Sequence, residues 1–226
     1  MSLGTVLVTG GASGLGAAVV QAVAKHGGRP VALDRVSTGQ EDEVVVDLSD
    51  ARAAEEAVRH ASHQVGGIDA VVTCAGIDAC GRLVEIPGDD WDRVVMVNLI
   101  GTAAVVRAAL PDLLERRGTV VTVASTLGLR ALSDATAYCA SKFGVVGFTR
   151  ALAVELQGQV GVTMLVPGGM HTGFFDGRAE QYKPPADARL NQPEDVAECV
   201  VFALSQPPGC EVRELVVTPS VEGSWP

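Results

Sequence analysis

Short valine-rich runs alternate with longer helical stretches almost to the end of this chain, and that alternation limits the possible folds more than any other feature. The strand candidates are 5–9 (TVLVT), 30–34 (PVALD), 43–46, 69–73, 119–124, 161–166 and 213–218, with helical candidates near 14–26, 51–64, 89–116, 135–157 and 193–204. Strands apolar on both faces need helices on both sides of their sheet. The alternation therefore predicts an α/β fold with a doubly wound, predominantly parallel seven-stranded sheet. With 226 residues and no internal repeat or linker, the chain reads as one domain over 1–226. Ser133 or Asp134 is expected to cap the 135–157 helix, and Gly158 to close it. The stretch 171–192 is the one long irregular segment, expected to lie as a flap over a ligand.

Composition removes several function classes. Lys and Arg number 17 against 27 Asp and Glu, a net charge of −10 that disfavours a nucleic-acid surface. The most apolar stretch, 94–110, contains Asn98 and Arg107, which fits a helix packed between other elements better than a membrane span. No cationic segment precedes VLVTG, so a secretion signal is not expected. Cys74, Cys80, Cys139, Cys199 and Cys210 form no CxxC pair and read as free thiols in a reducing compartment; the expected location is cytoplasmic. His60 and His63 have no third ligand in view, so no metal site is expected.

The segment TVLVTGGASGLGAAVVQ runs from the first strand into the first helix through several glycines. Gly10, Gly14 and Gly16 follow a G-x-x-x-G-x-G spacing, which differs from the usual G-x-G-x-x-G dinucleotide fingerprint. The physical logic is the same. Residues without a Cβ let the backbone approach phosphate oxygens, and a helix start presents unpaired N–H groups and a positive dipole end. Asp34 ends the second strand, where a carboxylate accepts from the ribose hydroxyls of NAD and repels the 2′-phosphate of NADP. Arg35 follows at once and suits that phosphate, so NAD is expected and NADP stays possible. Asp47 and Leu48 are placed to meet an adenine, though a carboxylate there also serves as a turn residue.

Tyr138 is one of two tyrosines and stands four positions before Lys142 in ATAYCASKFG. On a helix that spacing puts both side chains on one face. A phenol beside an ammonium is either a surface pair or a proton donor being tuned.

Seven pieces decide between these: TGGASGLG (9–16), VDL (46–48), CAG (74–76), VNLIGT (97–102), STLG (125–128), YCASK (138–142) and PGGMHT (167–172). In order and separation they resemble the short-chain dehydrogenase/reductase family, along almost the whole chain. The resemblance implies a Rossmann-type sheet and hydride exchange between a nicotinamide cofactor and an alcohol or ketone. It makes Tyr138 the general acid/base and gives Ser125 the substrate oxygen to orient. Lys142 would favour the phenolate and hold ribose hydroxyls, while the Asn98 main chain would carry a water leading to Lys142. Moving a phenol from its usual value near 10 toward 7 takes roughly 4 kcal/mol, which Lys142 and a cationic nicotinamide are expected to supply. By the same resemblance the cofactor would be held by Gly10, Ser13, Gly14, Leu15 and Gly16, by Asp34, Arg35, Asp47 and Leu48, and by Cys74, Ala75 and Gly76. Tyr138, Lys142, Pro167, Gly168, Met170 and Thr172 would meet its nicotinamide half. Family members pair helices 89–116 and 135–157 across dimer and tetramer interfaces, so a homodimer or homotetramer is expected.

Two departures stand out. Thr73–Cys74 replaces the two amides of the family's NNAG, with the threonine hydroxyl a substitute for one of them, and Val166 replaces a polar residue before Pro167. Pocket walls are expected from 78–85, 127–132 and 171–192, with Leu127, Leu129, Leu132, Phe174 and Phe175 as apolar lining. A dinucleotide-binding redox sensor without turnover is the reading from another class. A sugar-nucleotide epimerase would need a larger C-terminal substrate region than the residues after Gln192 provide.

Overall fold

In the computed structural model, which describes residues 3–207 and 209–224, the sheet is built outward from β1 (Thr5–Thr9). Met1, Ser2, Pro208, Trp225 and Pro226, which the 1–226 domain includes, lie outside the described residues. Val6, Leu7 and Val8 are fully buried, as an apolar strand covered on both faces must be. The other strands are β2 (Arg29–Asp34), β3 (Glu43–Val45), β4 (Ala70–Thr73), β5 (Thr119–Val123), β6 (Gly161–Pro167) and β7 (Glu214–Val217). They form one seven-stranded sheet in the order β3-β2-β1-β4-β5-β6-β7, and every pairing is parallel. The chain is thus a single α/β domain with an all-parallel sheet.

Helices cover both faces. On one side α1 (Gly14–Lys25) and α6 (Pro193–Leu204) pack Val19, Val23, Val196 and Val200 against Val6, Val8 and Val72. On the other, α2 (Ala51–Val65), α4 (Thr102–Arg116) and α5 (Thr136–Glu155) bring Val58, Val105, Leu113 and Leu152 onto Leu7, Val71 and Val120. Strand order reverses between β1 and β4, so the helices diverge there and a crevice opens at the carboxyl ends of the strands.

Three local expectations are corrected. The 89–116 run is not one regular helix: α3 (Gly88–Val95) passes through a π-helical turn, Met96–Gly101, before α4, and Asn98 sits in that turn. Neither Ser133 nor Asp134 caps α5; Ala135 holds that position, and Asp134 takes a left-handed backbone with φ 59°. Gly158 has φ +75° but follows the helix end at Glu155 by three residues, because the last turn tightens around Leu156. The 29-residue run Gly88–Arg116 is long and apolar enough to cross a membrane, yet 56% of its apolar window is buried within the chain. All five cysteines are free.

Candidate active site

The turn after β1 is shaped by backbone fit. Gly10 has φ +71°, and a Cβ there would stand 2.9 Å from the Ala75 Cα. A Cβ on Gly16 would overlap the carbonyl of Gly10 itself. Ser13 begins α1 without a side-chain cap, and the first turn contains no acidic residue. Its amides and dipole therefore face the crevice without a protein anion on them. Asp34 reaches this turn from the end of β2. Its Oδ2 accepts from the Ala12 N–H at 3.0 Å and its Oδ1 from the Val36 N–H at 3.2 Å.

Asp47 stands just beyond β3, where Oδ1 accepts from the Ser49 amide at 2.9 Å and Oδ2 from Arg93 at 2.6 Å. The Ser49 amide and then Arg93 hold its carboxyl down at about 2, outweighing the effect of burial. Its role as a turn residue is thus realised, while it still lines the crevice beside Leu48.

At the other end, Ser125 leaves β5 in an extended conformation, and its Oγ accepts from the Leu127 N–H at 3.1 Å. That bond uses an acceptor lone pair and leaves the hydroxyl proton to be donated elsewhere. Tyr138 and Lys142 lie in the first turns of α5, 9% and 4% exposed. The Lys142 Nζ donates to the Val123 carbonyl at 2.8 Å and lies 5.7 Å from the centre of the Tyr138 ring. Burial pushes the Lys142 ammonium down to about 8. Burial also pushes the Tyr138 phenol up to about 12, against the Ser125 hydroxyl, which favours the phenolate; Asp78 adds to the rise and Arg178 opposes it. In the protein alone, burial thus works against the lowering expected from Lys142 and a cationic nicotinamide together. The reason is geometric: the lysine turns its charge to the end of β5, and desolvation of the phenol dominates.

Asn98 is 1% exposed and does not line the crevice. Its side chain clamps the loop after β4, accepting from the Ile77 N–H at 2.8 Å and donating to the Ile77 carbonyl at 2.9 Å. It also donates to the Ser141 hydroxyl at 3.0 Å, which donates on to the Tyr138 carbonyl at 2.8 Å. Its main-chain carbonyl accepts from the Thr102 hydroxyl at 2.9 Å. The loop steadied in this way is the one altered at Thr73–Cys74. The Thr73 hydroxyl is buried with no hydrogen-bond partner and replaces neither missing amide. Thr9 assists instead, accepting from the Ala75 N–H at 3.0 Å.

These residues line one cleft of about 1300 Å³. Every residue expected at the site borders it except Asn98: Gly10, Ser13 to Gly16, Asp34, Arg35, Asp47 and Leu48 at one end, Cys74 to Gly76 in the middle, and Ser125, Tyr138, Lys142, Pro167, Gly168, Met170 and Thr172 at the other. Its size, its glycine-lined turn and the uncapped helix start fit a dinucleotide. The pocket walls are only partly as expected. Leu127, Leu132, Phe174 and Phe175 line the cleft and Leu129 does not; of 78–85 only Asp78 does, with Leu83 and Val84 exposed. Asp78 and Arg178 fall within the ranges expected for the pocket walls without having been singled out, whereas Arg93 and the C-terminal strap Val221–Ser224 lie outside those ranges. Glu222 in that strap accepts from the Gly169 N–H at 3.1 Å, and the Ser224 hydroxyl pairs with Thr126 at 2.7 Å. No motif marks these residues, because each acts through a partner far away in sequence.

Comparison with known proteins agrees with this geometry. Residues 4–183 match the family described as short chain dehydrogenase. An uncharacterized oxidoreductase of Staphylococcus aureus (strain MW2) is 31% identical over 94% of this chain and 96% of its own. Glycine betaine reductase of Emericella nidulans is 32% identical over 96% of this chain, which spans only 19% of that longer protein. Among solved structures, the aldohexose dehydrogenase of Thermoplasma acidophilum superposes with a TM-score of 0.85 at 23% identity, covering 95% of this chain and 92% of that one. An alcohol dehydrogenase of Thermococcus sibiricus, solved with 5-hydroxy-NADP, gives 0.85 at 24% identity over 94% and 95%. Fold, motifs and relatives converge, and the chain is an oxidoreductase belonging to the short-chain dehydrogenase family.

Proposed function

We propose that this oxidoreductase exchanges a hydride between NAD(H) and the CH–OH or C=O group of an alcohol or ketone, with Tyr138 moving the proton. The observation that carries the reading is the single cleft with Asp34 and the glycine turn at one end and Ser125, Tyr138 and Lys142 at the other. A nicotinamide dinucleotide bound there supplies the two-electron donor or acceptor. Asp34 would hold its ribose hydroxyls, with Gly10 to Gly16 against the pyrophosphate.

The chain's own groups then divide the proton work. With its acceptor side on the Leu127 N–H, Ser125 donates to a substrate oxygen and fixes its direction. Tyr138, protonated at neutral pH like any phenol and pushed further up by burial to about 12, protonates that oxygen in the reducing direction. In the oxidising direction it would work as the phenolate: its own proton is first lost to solvent, and nearby positive charge favours the anion. The phenolate then takes the alcohol's hydroxyl proton as hydride leaves the carbon. Lys142, lowered to about 8 by burial, is still cationic at neutral pH and has N–H donors beyond the one spent on Val123. Asn98 contributes by stiffness, tying the loop after β4 to the helix that carries Tyr138.

NADPH is the second reading, favoured by Arg35 beside Asp34 in the cleft wall and by the 5-hydroxy-NADP in the Thermococcus sibiricus structure. The deciding experiment measures affinity for NADH and NADPH in the parent and in Asp34→Ala, then screens alcohols and ketones by nicotinamide absorbance with Tyr138→Phe as control. NADH should bind more tightly in the parent, and Asp34→Ala should narrow the gap. Tyr138→Phe should lower turnover about 10²- to 10⁴-fold, a far larger loss than any in cofactor affinity, which many other groups of the cleft would share. A parent that prefers NADPH overturns the cofactor assignment. Tight cofactor binding with no turnover across the panel replaces the enzyme with a redox sensor.

A further inference from the structure

The flap has a closed base. Asn191 donates its N–H to the Gly169 carbonyl at 3.0 Å, His171 donates to the Asn191 carbonyl at 2.9 Å, and Met170 and Asn191 form a parallel bridge. Between these ends the chain is irregular apart from two 3₁₀ turns, Gly173–Phe175 and Glu180–Tyr182, and lines the cleft with Thr172, Phe174, Phe175 and Arg178. Arg178 is the best buried of its charges. The Arg178 Nη2 lies 2.9 Å from the Asp78 Oδ2, with the two side chains 15% and 6% exposed. The guanidinium also covers the rings of Phe174 and Phe175, at 4.6 and 4.8 Å from their centres. Phe174 in turn packs on Tyr138, with ring centres 5.5 Å apart. An unbroken line of contacts thus runs from Asp78 through Arg178 and Phe174 to the Tyr138 ring.

The two ends of that line differ in firmness. Asp78 follows Ile77, which Asn98 clamps, and its carboxylate also accepts from the Ala79 N–H at 2.7 Å and the Cys80 thiol at 3.1 Å. Phe174 sits in a single 3₁₀ turn, Gly173–Phe175, where few backbone bonds hold it. An arginine whose charge is met by a carboxylate and whose faces are taken by two rings is badly placed to recognise a substrate anion. It is well placed to anchor the loop that carries the rings.

We propose that Arg178 is a positioning residue: paired with Asp78 and stacked on Phe174 and Phe175, it latches the flap over the cleft and sets where Phe174 stands against Tyr138. Asp78 and Arg178 also act on the phenol in opposite senses, which agrees with their nearness to it. Breaking one partner leaves the other charge buried and unpaired, so either single substitution should open the flap. The consequence for substrates rests on the proposed hydride transfer, whereas the latch itself does not.

The test is limited trypsin digestion of the full chain, following cleavage after Arg189 by mass spectrometry, since Arg189 lies in the flap and outside the latch. Arg178→Ala and Asp78→Ala should each speed that cleavage about tenfold, with cleavage after Arg59 and Arg117 unchanged. Arg178→Lys, which keeps the charge and loses the stacking plane, should fall between parent and Arg178→Ala. With a substrate in hand, Arg178→Ala should raise KM several-fold more than it lowers kcat. Unchanged cleavage at Arg189 in both alanine variants overturns the latch, and so does equal acceleration at all three sites, which reports general unfolding. Faster flap cleavage in a protein that turns over no alcohol or ketone supports the latch, and only the hydride-transfer reading then falls.

Discussion

The glycine turn and the flap border the same cleft, but they are held in place by different kinds of force. Around Gly10 and Gly16 the structure is set by how closely backbone meets backbone, with two side-chain ties to main-chain amides, Asp34 to Ala12 and Thr9 to Ala75, in support. Around Phe174 the backbone is irregular and side chains do the holding. Arg178 reaches Asp78, Tyr182 reaches Asp134 across 48 residues, and Ser224 reaches Thr126 across 98. A backbone fit tolerates no added atom, whereas a set of side-chain ties can lose one member and deform. The cofactor end should therefore be rigid and unforgiving, and the substrate end adjustable.

Gly16→Ala is the most severe way to break this contrast. The new methyl would overlap the Gly10 carbonyl and stand 3.0 Å from the Thr9 carbonyl, both fixed by the end of β1. Overpacking against backbone should cost about 3 kcal/mol or more and remove measurable dinucleotide affinity. Denaturant unfolding and a cofactor titration read both effects. A variant that folds and binds as the parent does would remove the steric account of that end.

The same contrast explains what the sequence disclosed. The five inner strands could be placed because valine runs covered on both faces have no other stable home. The half-exposed edge strands β3 and β7 could be placed because they continue the same alternation with helices, and the glycine turn because only glycine accepts those contacts. The cleft residues beside regular elements were legible for the same reason, since a strand end dictates where the next residue stands. Asp78, Arg178 and Glu222 were not, because an ion pair or a carboxylate–amide bond between irregular segments leaves no period or spacing behind it. Lys142 shows the limit within a helix. Spacing placed it on the face of Tyr138, but its Nζ settles on the Val123 carbonyl, a partner at the end of strand β5. Part of the packing around the Tyr138 ring comes from Phe174, which arrives from the flap.

Lys142 offers a sharper test, because its rigid setting works against stability. A base whose folded value lies below its unfolded one costs stability in full below the folded value, here about 8, and the cost fades as pH rises toward the ordinary lysine value of 10.5. Lys142→Met removes that cost and leaves the Val123 carbonyl without its donor at every pH. The stability of the variant relative to the parent should therefore decline by roughly 2 kcal/mol between pH 7 and pH 9.5. Urea unfolding at the two pH values gives the difference directly. A constant offset would mean that the ammonium is hydrated, and that this end of the cleft is looser than its burial indicates.

The mildest expected effect belongs to the C-terminal strap, and it asks whether the substrate end deforms locally. Burial works to raise the Glu222 carboxyl, but the Ser224 hydroxyl and amide and the Gly169 amide outweigh it and hold the group below its ordinary range. Such a carboxyl stabilises its surroundings above its unfolded value, and the contribution is lost as pH falls through the lower folded value. Glu222→Ala removes the bonds to Gly169 and Ser224 at once, all at the protein surface or close to it. Global stability should change by under about 1 kcal/mol, while hydrogen exchange at the Gly169 amide should quicken about fivefold. The gap between parent and variant should then close in acid, as the parent's carboxylate takes up its proton. If Glu222→Ala instead destabilised the whole chain as Gly16→Ala is expected to, the strap would have to be counted with the rigid end, and the adjustable region would shrink to the flap alone.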